Sequence, residues 1–214
     1  MERYNIAIDG PSAAGKSTIS KCLAKKLDMT HLDTGAMYRC LALKAIRLHI
    51  SQQDEEALLD CLKKTGILLK GEQVFMDGED VSQAIRNPEV SSAASNVSKW
   101  AKVRQEMVAR QQVLAKEKGF IMDGRDIGTV VLPDAKLKIF LVASVEARAQ
   151  RRFLEDKLKN PSLTLEEVRR SIAERDRQDE TRLASPLVQA KDAKRIDCSD
   201  MSIEEVVDKV CSYL

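Results

Sequence analysis

This 214-residue chain is short of histidine, paired cysteine, long apolar runs and net charge. Its two histidines, His31 and His49, lie beside no cysteine pair, which speaks against a His/Cys metal site. The five cysteines, Cys22, Cys40, Cys61, Cys198 and Cys211, are odd in number and form no Cys-x-x-Cys spacing. They read as reduced, mostly buried thiols, and a cytoplasmic location is expected. No apolar run reaches the roughly 20 residues of a membrane span, so no membrane partner is expected. The chain enters a first strand directly, and no signal peptide is expected. A formal net charge of +2 argues against a general nucleic-acid binder. There is no repeat, no low-complexity segment and no guanine-reading Asn-Lys-x-Asp sequence of a regulatory GTPase. With no coiled-coil stripe to require a partner, a monomer is expected.

What is present is ordinary in bulk and specific in detail. At 43% hydrophobic and 32% charged residues, the chain can bury a core. Its length suits one α/β domain with a small insert, or at most two small domains. Near its start an apolar run, Ile6-Ala-Ile, ends in Asp9 and leads into Gly10-Pro-Ser-Ala-Ala-Gly-Lys-Ser17 and then a helical stretch. Strand, glycine-bounded loop and helix in that order are the context of a phosphate-binding loop. Amides of Gly10, Pro11, Ser12, Ala13, Ala14 and Gly15, Pro11 excepted as a donor, turn inward with the helix N-terminus to make an anion cradle. Lys16 reaches the β- and γ-phosphates, and the Ser17 hydroxyl is placed for Mg²⁺.

Further along, apolar runs and helical periods alternate, which predicts a parallel sheet with helices on both faces. Strands are expected at about Tyr4–Asp9, His31–Leu32, Phe120–Asp123, Leu137–Ala143 and Arg195–Cys198. Asp33-Thr34-Gly35 reads as a turn before a helix at about Ala36–His49, and a third helix is expected at about Asp54–Lys64. A long helix at about Lys99–Lys118 shows Val103, Met107, Val108 and Leu114 roughly on one side. Lys136 and Lys138 are expected at the solvated entry of the fourth core strand. Thr164-Leu-Glu-Glu167 and Ser202-Ile-Glu-Glu205 have capping-box spacing. Between Gly66 and Val81, β-rich runs broken by Gly71 and Asp77-Gly78 predict an antiparallel meander. We therefore assign 1–59 and 99–214 to the core and 60–98 to an insert.

Phosphoryl transfer asks for alignment and positive charge more than covalent chemistry. Asp123 ends a strand, the address of an acid that holds Mg²⁺, often through water. Asp9, just before the loop, suits either the metal's shell or a structural cap. Thr34, Gly35 and Arg39 form a second cluster in which the arginine can grip a monophosphate. Arg125 and Asp126 can point a guanidinium at phosphate and a carboxylate at a base amino group, as on cytosine N4. Arg175, Asp179 and Arg182 share one helix face, although such a run, like Arg148, Arg151 and Arg152, is on composition alone a solvated face.

Taken together, Gly-Pro-Ser-Ala-Ala-Gly-Lys-Ser, Asp-Thr-Gly-Ala-Met-Tyr-Arg, Asp-Gly-Arg-Asp-Ile-Gly-Thr-Val-Val and Glu-Arg-Asp…Asp-Glu-Thr-Arg resemble the bacterial cytidylate kinases, in order over nearly the whole chain. The resemblance implies a P-loop kinase core with a five-stranded parallel sheet. It also implies a monophosphate-binding domain enlarged by a small β insert, and a lid at about 148–165. ATP would donate its γ-phosphoryl group to CMP or dCMP with Mg²⁺. The resemblance assigns Thr34, Arg39 and Arg125 to the CMP phosphate. It assigns Ser95, Arg104 and Asp126 to the cytosine edge, Arg175 and Asp179 to the ribose, and Arg182 to a phosphate. Lys16, Arg125, Arg182 and a lid arginine such as Arg151 would stabilise the moving charge. Relatives often carry Gly where Ser17 stands, which makes Thr18 an alternative metal ligand. Gln178 and Glu180 stand where some relatives carry further arginines.

Overall fold

A computed structural model describes residues 3–158 and 160–214. Its core is a five-stranded parallel sheet in the order β2-β6-β1-β7-β8. The strands are β1 (Ile6–Asp9), β2 (Thr30–Asp33), β6 (Phe120–Gly124), β7 (Leu137–Val142) and β8 (Lys194–Asp197). The central strands are buried over nearly their whole length and mostly apolar, because helices cover both faces. Ile6, Ile8, Ile121, Ile139 and Leu141 pack with Ile19 and Leu23 of α1 (Lys16–Leu27) and with Val206, Val207 and Val210 of α8 (Ile203–Cys211). The intervening side chains Ala7, Leu32 and Met122 point the other way, toward Ala115 and Ile127. Strand periodicity thus divides one apolar run between two cores.

The meander is a separate three-stranded antiparallel sheet of β3 (Ile67–Lys70), β4 (Gln73–Met76) and β5 (Glu79–Asp80). It closes over α2 (Thr34–Arg47), α3 (Glu55–Lys63), α4 (Pro88–Val97) and α5 (Ala101–Ala115). Leu41, Leu58, Leu62, Val74, Met76, Ile85 and Met107 share that third core. Pro88 opens α4 behind an Asn87 cap, as a ring without an N–H is tolerated there. The arginine-bearing helices α6 (Val145–Lys157) and α7 (Leu165–Thr181) pack on each other through Ala149, Val168 and Ile172. Both capping boxes form, at Thr164/Glu167 and Ser202/Glu205.

Three local expectations are corrected. Thr34 and Gly35 are not a turn: Asp33 Oδ1 accepts from Ala36 N at 3.1 Å, so α2 begins at Thr34. Lys138 is buried and not solvated, since its Nζ donates to Pro133 O at 2.6 Å and pairs with Asp192. Leu114 is exposed, and the buried side of α5 continues through Met107, Gln111 and Ala115.

Candidate active site

All five parallel strands deliver their C-terminal ends to one side of the sheet, where the loop after β1 meets a cleft of ≈ 760 Å³. Gly10 has φ +153°, and a Cβ there would lie 2.0 Å from Leu141 O, so only glycine allows this approach of loop to β7. Gly15 is left-handed at φ +92° and opens α1. Ser12, Ala13, Ala14, Gly15, Lys16, Ser17 and Thr18 line the cleft, while Gly10 and Pro11 shape the loop from behind. Lys16 Nζ donates to Pro11 O at 2.7 Å. Burial first, and then Arg125, lower its pKa to about 7. An anion in the cradle offsets both effects and favours the charged lysine.

Asp123, at the end of β6, gathers three neighbours. Ser17 Oγ donates to its Oδ2 at 2.8 Å, and His31 Nε2 donates to its Oδ1 at 2.5 Å. Thr34 Oγ1 donates to its main-chain carbonyl at 2.7 Å. A carboxylate and a hydroxyl side by side, facing a phosphate cradle, are the hard oxygen donors that Mg²⁺ takes. Ser17, not Thr18, is the hydroxyl that meets Asp123. Among the described residues no group of three or more His, Cys, Asp or Glu is arranged to hold a metal ion. That donor set suits an ion that completes its shell with water and substrate phosphates. Asp9 takes its cap alternative: Oδ1 accepts from Ile127 N at 2.8 Å and Oδ2 from Gly128 N at 2.7 Å. Burial nonetheless raises its pKa to about 6.

Opposite the loop, arginines converge from separate elements. Arg39 of α2 donates to Ile85 O at 3.0 Å. Arg104 of α5 is buried, donating to Ser98 O at 3.0 Å and to Asp126 Oδ2 at 2.6 Å, with its guanidinium over the Tyr38 ring. Arg125 and Arg182 share Asp179, at 2.7 and 3.2 Å. Burial pushes Asp179 up, but Arg125 and Arg182 outweigh it and hold its pKa below the usual carboxylate range. Burial lowers Arg39, Arg175 and Arg182 to about 10 each, so all remain charged at neutral pH. Arg104 Nε, Arg175 Nε, Arg182 Nη2 and Tyr38 Oη are buried without a hydrogen-bond partner among the described residues. Buried donors in that state call for an acceptor-rich ligand.

Every anticipated site residue except Gly10 and Pro11 lines this one cleft. The arginine runs divide. Arg177 is a solvated partner of Glu174, whereas Arg175 and Arg182 line the cleft and Asp179 joins them. Arg152 pairs with Asp156. Arg151, expected at the transferred group, donates to Cys198 O at 2.6 Å and Ser199 O at 3.1 Å. Tyr38, His31 and the wall of Cys198, Met201 and Ile203 were not anticipated. His31 carried one signal, its alternation with Asp33 on β2, which puts both on the face toward Asp123.

A cradle for one polyphosphate, set across from arginines that outnumber the carboxylates among them, makes this an ATP-type phosphotransferase of the P-loop kinase class. Solved structures bear out the fold. A shikimate kinase from Bacteroides thetaiotaomicron superposes with a TM-score of 0.52 at 13% identity, over 99% of this chain and 98% of its own. A second shikimate kinase, from Acinetobacter baumannii, gives 0.50 at 16%, over 98% and 92%. The cytidylate kinase family model matches residues 6–214. A cytidylate kinase of Caldicellulosiruptor bescii is 54% identical over 214 residues, 98% of this chain and 95% of that protein. One from Bacillus cereus is 50% identical over 217 residues, 100% and 96%. The chain belongs to the cytidylate kinase family and is an enzyme, a nucleoside monophosphate kinase. No helix among the described residues is long and apolar enough to cross a membrane.

Proposed function

We propose that the enzyme transfers the γ-phosphoryl group of ATP to CMP or dCMP, giving ADP and CDP or dCDP. The observation that carries this reading is the buried Arg104–Asp126 pair at the acceptor end of the cleft. Asp126 accepts a hydrogen bond from the cytosine amino group and repels uracil O4. Ser95 and Arg104 complete the base edge. Thr34, Gly35, Arg39 and Arg125 hold the acceptor phosphate, and Arg175, Asp179 and Arg182 hold the ribose and a phosphate.

The attacking phosphate oxygen is already ionised, so no strong general base is required. The chain aligns the two substrates, neutralises charge with Lys16, Arg125 and Arg182, and excludes water. Ser17 and Asp123 would hold Mg²⁺, the acid through water, and the ion would supply electrostatic neutralisation of the β- and γ-phosphates. The insert at 60–98 and the lid at 148–165 close over the substrates, and Arg151 reaches the moving group by leaving the Cys198 and Ser199 carbonyls. On this reading the enzyme acts on free nucleotides as a cytoplasmic monomer.

The test is ADP formation from Mg·ATP with CMP, dCMP, UMP, AMP and GMP offered singly. Fast turnover with CMP and dCMP and little with UMP is expected. Equal use of UMP would remove the amino-group reading, and no turnover with any would overturn the substrate class.

A further inference from the structure

Arg148 and Asp176 are buried, and neither lines the cleft. Together they hold one residue of the phosphate-binding loop by both of its main-chain groups. Asp176 Oδ1 accepts from Ser12 N at 3.4 Å, and Arg148 Nη1 donates to Ser12 O at 3.1 Å. The two side chains are joined at 2.6 Å through Asp176 Oδ2, and Arg148 Nε is tied to Ala143 O, just past β7, at 2.9 Å. Ala13, the next residue of the loop, sits at φ +58°, a left-handed conformation that its surroundings must impose. Asp176 also lies between Arg175 and Asp179 on α7, the helix whose cleft-facing groups were assigned to the acceptor.

We propose that Arg148 and Asp176 are positioning residues for phosphoryl transfer, clamping the donor loop at Ser12 to the acceptor-holding helix so that the two keep one register. The clamp touches neither substrate. It sets the direction of the loop amides relative to Arg175, Asp179 and Arg182, and in-line transfer depends steeply on such alignment. Stability alone does not call for an ion pair here, since a buried pair is often replaceable by apolar side chains of similar volume. The inference rests on the reading of α7 as the acceptor helix.

The decisive variant is Arg148→Met with Asp176→Leu, which fills the space and removes the grip on Ser12. The full chain is compared with wild type for thermal unfolding, CMP binding, kcat, and CDP formed per ATP consumed. The variant is expected to fold and to bind CMP with KM moved less than about 3-fold, while kcat falls at least about 10-fold. Misaligned ATP reacts with water to ADP and phosphate, so CDP per ATP drops below one. Wild-type kcat with one CDP per ATP would overturn the proposal. Should the double variant not fold, Asp176→Ala, which removes the acceptor for Ser12 N, is read in the same way: lower kcat with lost stoichiometry supports the clamp, and wild-type values for both overturn it. Arg175→Ala tests the underlying reading separately. A raised KM for CMP upholds it, while an unchanged KM overturns the assignment of α7 and with it the proposal.

Discussion

The two halves of the cleft are built in opposite ways. The donor half is one contiguous stretch, Gly10 to Thr18, whose chemistry is mostly main-chain amide and whose side chains, Lys16 apart, are small. The acceptor half is assembled from α2, α4, α5, the turn after β6, and α7, and its chemistry is mostly side-chain charge. A backbone cradle accepts any polyphosphate, because an amide N–H reads charge and not identity. Fixed guanidinium and carboxylate groups read shape and hydrogen-bond pattern. On the proposed function, the donor half defines the class of reaction and the acceptor half the substrate.

That contrast predicts how each half fails. Damage to the backbone half has the largest effect. Gly10→Ala forces a Cβ against the Leu141 carbonyl in a conformation that suits glycine, and is expected to cost roughly 2–4 kcal/mol of stability. Urea unfolding measures this, and a variant within about 0.5 kcal/mol of wild type would show that the loop relaxes away from β7. Where the donor loop meets Asp123, removing a supporting side chain should act by degree. His31→Ala frees one carboxylate oxygen of Asp123 and is expected to raise the Mg²⁺ concentration needed for half-maximal rate about 10-fold. His31→Gln, which retains a donor, should recover part of it, and unchanged Mg²⁺ dependence in both would separate His31 from the metal.

The smallest effect is a pH dependence at the seam between the halves. Asp9 has a folded pKa raised to about 6 from 3.8, so the folded state binds its proton more tightly than the unfolded state. Its contribution to stability is fully present below about 4 and lost as pH rises through 6. Relative to Asp9→Asn, wild type should lose on the order of 1–3 kcal/mol across that window. Thermal unfolding of both proteins from pH 4 to 8 checks the sign, and a gap that does not change with pH would contradict it.

The same contrast explains what could be read from sequence. A loop of fixed spacing between a strand and a helix is legible because its function lies in consecutive residues. The alternating sheet and the meander were legible for the same reason, through local period and turn chemistry. Pairings were not legible from the residues' own pattern. Asp179 holding both Arg125 and Arg182, or Arg148 turning inward to Ser12 while Arg152 stays with Asp156, depends on how distant elements dock. Lys138 looked solvated because charge at a strand entry is ordinarily exposed, and Asp192 with the Pro133 carbonyl reverses that. Thr34 looked like a turn because the Asp33 cap and the Gly35 that follows resemble one in sequence.

The most direct measurement is the ratio of kcat/KM for CMP to that for UMP, in wild type and in Asp126→Asn. The neutral amide keeps the side chain's shape and can donate to uracil O4. A ratio that falls by about 10–100-fold, with KM for ATP unchanged, is the expected result. An unchanged ratio would show that base identity is read elsewhere and would contradict the assignment of substrate choice to the acceptor half.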